Sequence, residues 1–128
     1  MTVNTSRQGT GAKGIISGTV SNGATWREAL EITENGTFIT DAPTHEWRMI
    51  FRQDETVALT LSTTDGTLTV TNGADSTTVS IAVAYTALSA LEGDYVCDLA
   101  SLDTSTTPDD LVHWAHGVVT FRDEPIWS

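Results

Sequence analysis

The chain has 128 residues, a length that suits one domain but not two. Its 17 acidic and 6 basic residues give a formal net charge of −11, which disfavours binding to nucleic acid or to an anionic membrane surface. Two uses of this charge stay open: plain solubility, and attraction to a basic partner. The only cysteine, Cys97, excludes a framework of internal disulfides.

The N-terminal sequence lacks an apolar run after a basic start, so we expect no signal peptide. No apolar stretch reaches the ~20 residues that a membrane-spanning helix needs. Synthesis in a reducing cytosol fits both observations and the lone cysteine.

Residues 1–14 are polar and glycine-rich, and they predict a flexible N-terminal arm because they bury little surface by themselves. Two interpretations stay open: a frayed end, and an arm that a neighbouring molecule orders.

Short apolar alternations separated by turn residues begin at residue 15 and predict strands. In the strand at 46–52, Trp47, Met49 and Phe51 fall on one face. In the first half of the chain, strands are predicted at 15–20, 26–33, 37–40 and 46–52, with turns at 21–23, 34–36 and 41–44.

The second half continues the period-two pattern, with one interruption. Residues 86–92 suit a single helical turn closed by Gly93. Asp65-Gly66 predicts a two-residue hairpin, Asn72-Gly73 predicts a further turn, and Gly117 predicts a bulge or a close backbone approach. Strands are predicted around 57–62, 68–71, 79–83, 94–102 and 111–121.

Turns every ~8–12 residues, without a long amphipathic helical pattern, predict an all-β sandwich or barrel. We expect a sandwich domain at 15–122 and a C-terminal tail at 123–128.

Few residues suggest chemistry. His113 and His116 could share a zinc ion only if a bulge at Gly117 brought them to one face, because strand positions i and i+3 point to opposite faces. His45 lies near serines and threonines, but the chain has no nucleophile-elbow pattern.

Cys97 alternates with core residues, which indicates a small apolar core residue, although an intermolecular disulfide stays conceivable. The aspartates between 98 and 110 do not follow the calcium-loop pattern, so whether calcium binds there stays open. We predict no catalytic residues, no cofactor and no metal site.

Six segments occur in a recognisable order: GATW at 23–26, TFITD at 37–41, WRMIFR at 47–52, LTLSTTDGTL at 59–68, TALSALEGDYVCDL at 86–99 and GVVTF at 117–121. Their order resembles the Ig-like sandwich domains of phage structural proteins, in particular the N-terminal domain of baseplate upper proteins and related tail-fibre or head-tail adaptor modules. The resemblance covers roughly residues 20 to 122. It implies an Ig-like antiparallel β-sandwich in a virion and brings no catalytic residues.

We therefore predict a non-catalytic virion structural protein of tail, baseplate or fibre, which contacts other virion proteins and further copies of itself in a symmetric assembly. Capsid decoration and head-tail connection are alternatives within that class. A carbohydrate-binding module with a Trp26 or Trp114 platform is an alternative of another class, as is a small metal-dependent enzyme using His113 and His116. The predicted partner-binding residues are Arg7 and Lys13 in the arm and Ile126 and Trp127 in the tail. For the tail, a competing interpretation is that it packs against its own sandwich.

Overall fold

The computed structural model of the chain describes residues 2–4, 14–32, 41–73 and 76–124. The described residues form nine strands, one 3₁₀ turn (Ala42–Thr44) and one helical turn, α1 (Tyr85–Leu88). The strands are β1 (Thr2–Asn4), β2 (Gly14–Ser21), β3 (Trp26–Ile32), β4 (Glu46–Gln53), β5 (Thr56–Ser62), β6 (Leu68–Asn72), β7 (Thr77–Val83), β8 (Gly93–Asp103) and β9 (Asp110–Arg122).

These strands make two sheets. The large sheet has six strands in the order β1-β2-β9-β8-β4-β5, and the small sheet has three in the order β3-β7-β6. All pairings are antiparallel except that of β2 with β9, which is parallel. The predicted all-β sandwich is confirmed, with the correction that one pairing is not antiparallel.

The core lies between the sheets and follows the alternation of apolar residues. Trp47, Met49 and Phe51 are all fully buried, as their shared strand face predicts. Trp47 stacks on Trp114 with ring centroids 5.8 Å apart, and its Nε1 donates to the Ala42 carbonyl at 2.9 Å. This bond anchors the 3₁₀ turn before β4 to the core.

Two details of the sandwich are also features of immunoglobulin-like domains. The Tyr95 hydroxyl accepts a hydrogen bond from the Glu92 backbone N–H at 3.2 Å, and Tyr95 lies two residues before Cys97 on β8. This is the tyrosine corner of immunoglobulin-like domains, and Trp47 on β4 matches their buried tryptophan. A helical turn is present just before this corner, but it spans Tyr85–Leu88 and so ends four residues before the predicted 86–92 segment does.

The turn at Asp65-Gly66 is present, but the predicted hairpin is wrong. The strands on its two sides belong to different sheets, since β5 pairs with β4 and β6 pairs with β7. Asp65 accepts hydrogen bonds from the Thr67 N–H and hydroxyl, which shapes the crossing, and the pKa of its carboxyl is lowered by these bonds. Asn72-Gly73, in contrast, does join a paired hairpin, β6 and β7.

Gly117 marks a close backbone approach, one of its two predicted roles. A Cβ at this position would lie 1.8 Å from the Ile16 carbonyl oxygen on β2. Only a glycine therefore allows the parallel pairing at this point. The bulge lies elsewhere: Leu99 pairs with Ala115 and Ala100 with His113, so Trp114 is the extra residue on β9.

The predicted N-terminal arm contains β1, which pairs with β2 at the margin of the large sheet. Residues 5–13, the predicted turn and strand at 34–40, and residues 125–128 lie outside the described residues.

Candidate functional site

The outer face of the large sheet is the most distinctive surface among the described residues. We define it by the strand side chains that point away from the core. It carries five exposed aliphatic side chains, with exposed fractions of 46–62%: Ile15, Val57, Val96, Leu111 and Val118. Among the described residues the only other exposed large apolar side chain is Tyr85 in α1, and it is less exposed, at 38%.

Strand register places three of these aliphatic residues in one row across the sheet. Val96 on β8 lies directly opposite Val118 on β9 and, on its other side, opposite Arg52 on β4. Arg52 in turn lies opposite Val57 on β5. Directly opposite residues on one face lie close enough for their side chains to touch. Val118, Val96 and Val57 therefore share one row with Arg52, which stands between Val96 and Val57. Ile15 and Leu111 lie elsewhere on the face, opposite His116 and Leu102.

Charged residues on the same face neutralise each other. Arg48 lies 3.0 Å from Glu46, and Arg52 lies 3.1 Å from Asp98. The pKa of the Glu46 carboxyl is lowered because Arg48 and then Thr64 donate hydrogen bonds to it. Both pairs are exposed enough that they contribute little to the stability of the fold.

A shallow cavity of ≈ 380 Å³ opens on this face between β4, β8 and β9. Its lining combines the paired charges with aliphatic side chains and includes Glu46, Arg48, Ile50, Asp98, Leu102 and His113. A depression with mixed apolar and charged walls can receive side chains of a partner protein.

His113 and His116 both lie on the outer face, contrary to the expectation that they point to opposite faces. The extra residue Trp114 shifts the alternation between them, so His113 is opposite Ala100 and His116 is opposite Asp98. Among the described residues, one group of three or more ligand-type side chains has donor atoms within 4.8 Å of one another, and it contains neither histidine.

That group consists of Asp41, His45 and Asp103, at the rim of the sandwich. His45 Nε2 lies 3.2 Å from Asp41 Oδ2 and 3.4 Å from Asp103 Oδ2. Asp103 Oδ1 accepts hydrogen bonds from the N–H and hydroxyl of Ser105, at 2.9 and 2.6 Å. These bonds, and to a smaller extent the charge of His45, lower the pKa of the Asp103 carboxyl.

The two tryptophans that could form a sugar-binding platform are not accessible. Trp26 is 4% and Trp114 is 3% exposed, and their rings pack against other core aromatic rings. Neither can therefore stack on a carbohydrate. Cys97 is fully buried, which agrees with its interpretation as a core residue, and burial raises the pKa of its thiol far above the usual range.

All four predicted partner-binding residues, Arg7, Lys13, Ile126 and Trp127, lie outside the described residues. The sequence reasoning missed the outer face itself. A signal was present, because Val96 and Val118 alternate with inward-facing residues on their strands and so had to point outward.

Comparisons with protein-family models and with curated proteins find no match to this chain. Within the part of the chain that the structure describes, no helix has the length and apolar character required to cross a bilayer.

Proposed function

We propose that this chain is a non-catalytic structural domain whose outer face on the large sheet binds a second copy of the same chain. The observation that carries the proposal is the composition of this face: the five exposed aliphatic strand residues among the described residues all lie on it. Covering such side chains removes apolar surface from water, which contributes about 25 cal/mol per Å².

The balanced charge of this face permits a second copy as the occupant. The chain has a formal net charge of −11, so most pairs of surfaces from two copies would repel each other. On the outer face, Arg48 and Arg52 balance Glu46 and Asp98. Two such faces related by a two-fold axis can exchange these partners, so that an arginine of one copy meets a carboxylate of the other.

Sedimentation velocity of the full chain tests this proposal. We expect the wild type to self-associate, and the double variant Val96→Asp, Val118→Asp to be monomeric, because it places two unpaired carboxylates in the centre of the contact. The matched control, Thr78→Asp with Ser80→Asp, puts the same charges on the outer face of the small sheet and should associate as the wild type does. A wild type that stays monomeric at several hundred micromolar, or equal behaviour of the two double variants, contradicts the proposal.

We further propose that the assembly is a phage virion, where the chain contributes to tail, baseplate or fibre. This step is supported by the segment order described above and by the Ig-like fold. Mass spectrometry of purified particles that carry this sequence in their genome tests it. Detection in stoichiometric amounts is expected, and presence only in the lysate of infected cells would contradict a virion role.

A further inference from the structure

The group Asp41, His45 and Asp103 is built from two segments that are distant in sequence. Asp41 and His45 flank the 3₁₀ turn before β4, and Asp103 ends β8. Glu46, the first residue of β4, lies opposite Leu102 on β8. The antiparallel register therefore places His45, just before β4, beside Asp103, the last residue of β8. The group therefore follows from the pairing of two central strands and not from a loop alone.

The His45 ring is held in an unusual position. Its Nε2 atom is shielded from solvent and, among the described residues, has no regular hydrogen-bond partner. Two carboxylate oxygens nevertheless lie 3.2 and 3.4 Å away. The close approach without a well-directed hydrogen bond leaves a buried polar atom unsatisfied, which is costly in a folded protein.

The spacing of the donor atoms, all within 4.8 Å of one another, is compatible with a shared ion. Zinc binds imidazole nitrogen and carboxylate oxygen at about 2.0–2.2 Å with tetrahedral angles, so the donor atoms of one site lie about 3.3–3.6 Å apart. The distances from His45 Nε2 to the two carboxylates are 3.2 and 3.4 Å. An imidazole in the set also favours a transition metal over calcium or magnesium, which prefer oxygen ligands alone.

The surroundings orient these donors in advance. Ser105 binds Asp103 through Oδ1, which leaves Oδ2 directed at His45. The 3₁₀ turn is fixed by the bonds from Thr44 N–H to the Asp41 carbonyl and from Trp47 Nε1 to the Ala42 carbonyl, both at 2.9 Å. The side chain of Asp41 is 59% exposed, so one side of the group is open to a water ligand.

We infer that Asp41, His45 and Asp103 bind one divalent transition-metal ion, with Zn²⁺ as the best match, and that water completes the coordination. The ion joins the turn before β4 to the end of β8. It is a structural site at the rim of the sandwich, independent of the self-association face.

Calorimetric titration of the full chain with Zn²⁺, after removal of metal by EDTA and dialysis, tests the inference. We expect binding of one ion per chain and a rise in melting temperature on saturation. His45→Asn and Asp103→Asn should each weaken binding by at least about tenfold, since even outer-shell partners of a metal carry that much. The control is His113→Asn with His116→Asn, which leaves His45 as the only histidine and should bind as the wild type does.

If either buried variant does not fold, Asp41→Asn replaces it in the titration, because Asp41 is the exposed member of the group. We expect a similar loss of affinity for Zn²⁺. Absence of binding to the wild type overturns the inference and leaves His45 beside two carboxylates without a shared ion. Equal affinity in the wild type and in all three ligand variants overturns it as well, since the ion would then bind elsewhere.

Discussion

The two outer faces of the sandwich are built from the same kind of alternating strand, but they differ in composition. On the small sheet, the outward positions of β6 and β7 hold only Thr, Ser and Ala: Thr69, Thr71, Thr78, Ser80 and Ala82. On the large sheet, the outward positions hold the five exposed aliphatic residues and two arginine–carboxylate pairs. The inner faces of both sheets are mostly apolar, and Thr77 and Ser101 are buried polar residues on them.

The difference shows what the fold requires and what it does not. Small polar residues on the small sheet are sufficient for a strand face in contact with water. A strand face of this sandwich therefore does not need aliphatic residues such as Val96, Val118 and Ile15, and the proposed self-association would cover them. Three predictions test this comparison.

The largest effect is expected at Gly117, which holds β2 on the large sheet. Gly117→Ala places a Cβ 1.8 Å from the Ile16 carbonyl oxygen, a backbone atom that cannot move alone. We expect a loss of about 3 kcal/mol or more in the free energy of unfolding, measured by urea denaturation. If β2 separates from β9, Ile15 on β2 is also lost from the outer face.

The matched control is Gly73→Ala in the hairpin of the small sheet. Its added Cβ lies 3.6 Å from the Ser76 carbonyl oxygen, an ordinary contact, so we expect a change below about 1 kcal/mol. Equal losses for the two variants would show that β2 does not depend on Gly117.

A smaller effect is expected for the pair Arg52 and Asp98 on the outer face. A double-mutant cycle with alanine should give a coupling of about 0.2–1 kcal/mol in the unfolding of the monomer, because both groups are solvated. Self-association should respond more strongly: Arg52→Asp weakens it, and adding Asp98→Arg restores it.

Arg27→Asp is the corresponding charge reversal on the outer face of the small sheet, opposite Ala82. It should leave the sedimentation of the protein unchanged. If it weakens association as much as Arg52→Asp does, net charge and not the outer face of the large sheet controls assembly.

The smallest effect is expected from Glu46, whose pKa is lowered mainly by the hydrogen bond from Arg48. A carboxyl with a lowered pKa in the folded state stabilises the protein above its unfolded pKa, about 4.3 for glutamate, and this contribution is lost as pH falls through the folded pKa. Glu46→Gln should therefore reduce the drop in melting temperature between pH 5 and pH 3.

Thr64→Val removes the second donor to Glu46 and should reproduce part of that change. A Glu46→Gln variant with the same acid profile as the wild type would show that the pair with Arg48 has no influence on stability.

The sequence predicted the inner faces well because buried side chains occupy every second position of a strand, a pattern visible in the local sequence. Trp47, Met49 and Phe51 were assigned to one face by spacing alone, and all three are fully buried. Strand pairing is not recorded in the same way. Asp65-Gly66 has the residues of a hairpin turn, but the chain crosses between sheets there, because turn residues determine local backbone shape and not the partner of the next strand.

The site residues depended on features that no local pattern reports. The bulge at Trp114 reverses the alternation and places His113 and His116 on one face, and nothing around Trp114 in the sequence marks this position. His45 and Asp103 meet only because β4 and β8 pair in one register. The candidate metal site could therefore not be found until the sheet order was known.

The burial of Cys97 has a practical consequence. The chain has no other thiol, and this one lies in the closed interior between the sheets, where burial keeps it protonated. It can neither tether two copies nor respond to the redox state of its surroundings while the sandwich is intact. A thiol-specific reagent will label the protein only when the interior opens. The labelling rate of the natural Cys97 therefore measures how often the sandwich opens, without an engineered cysteine.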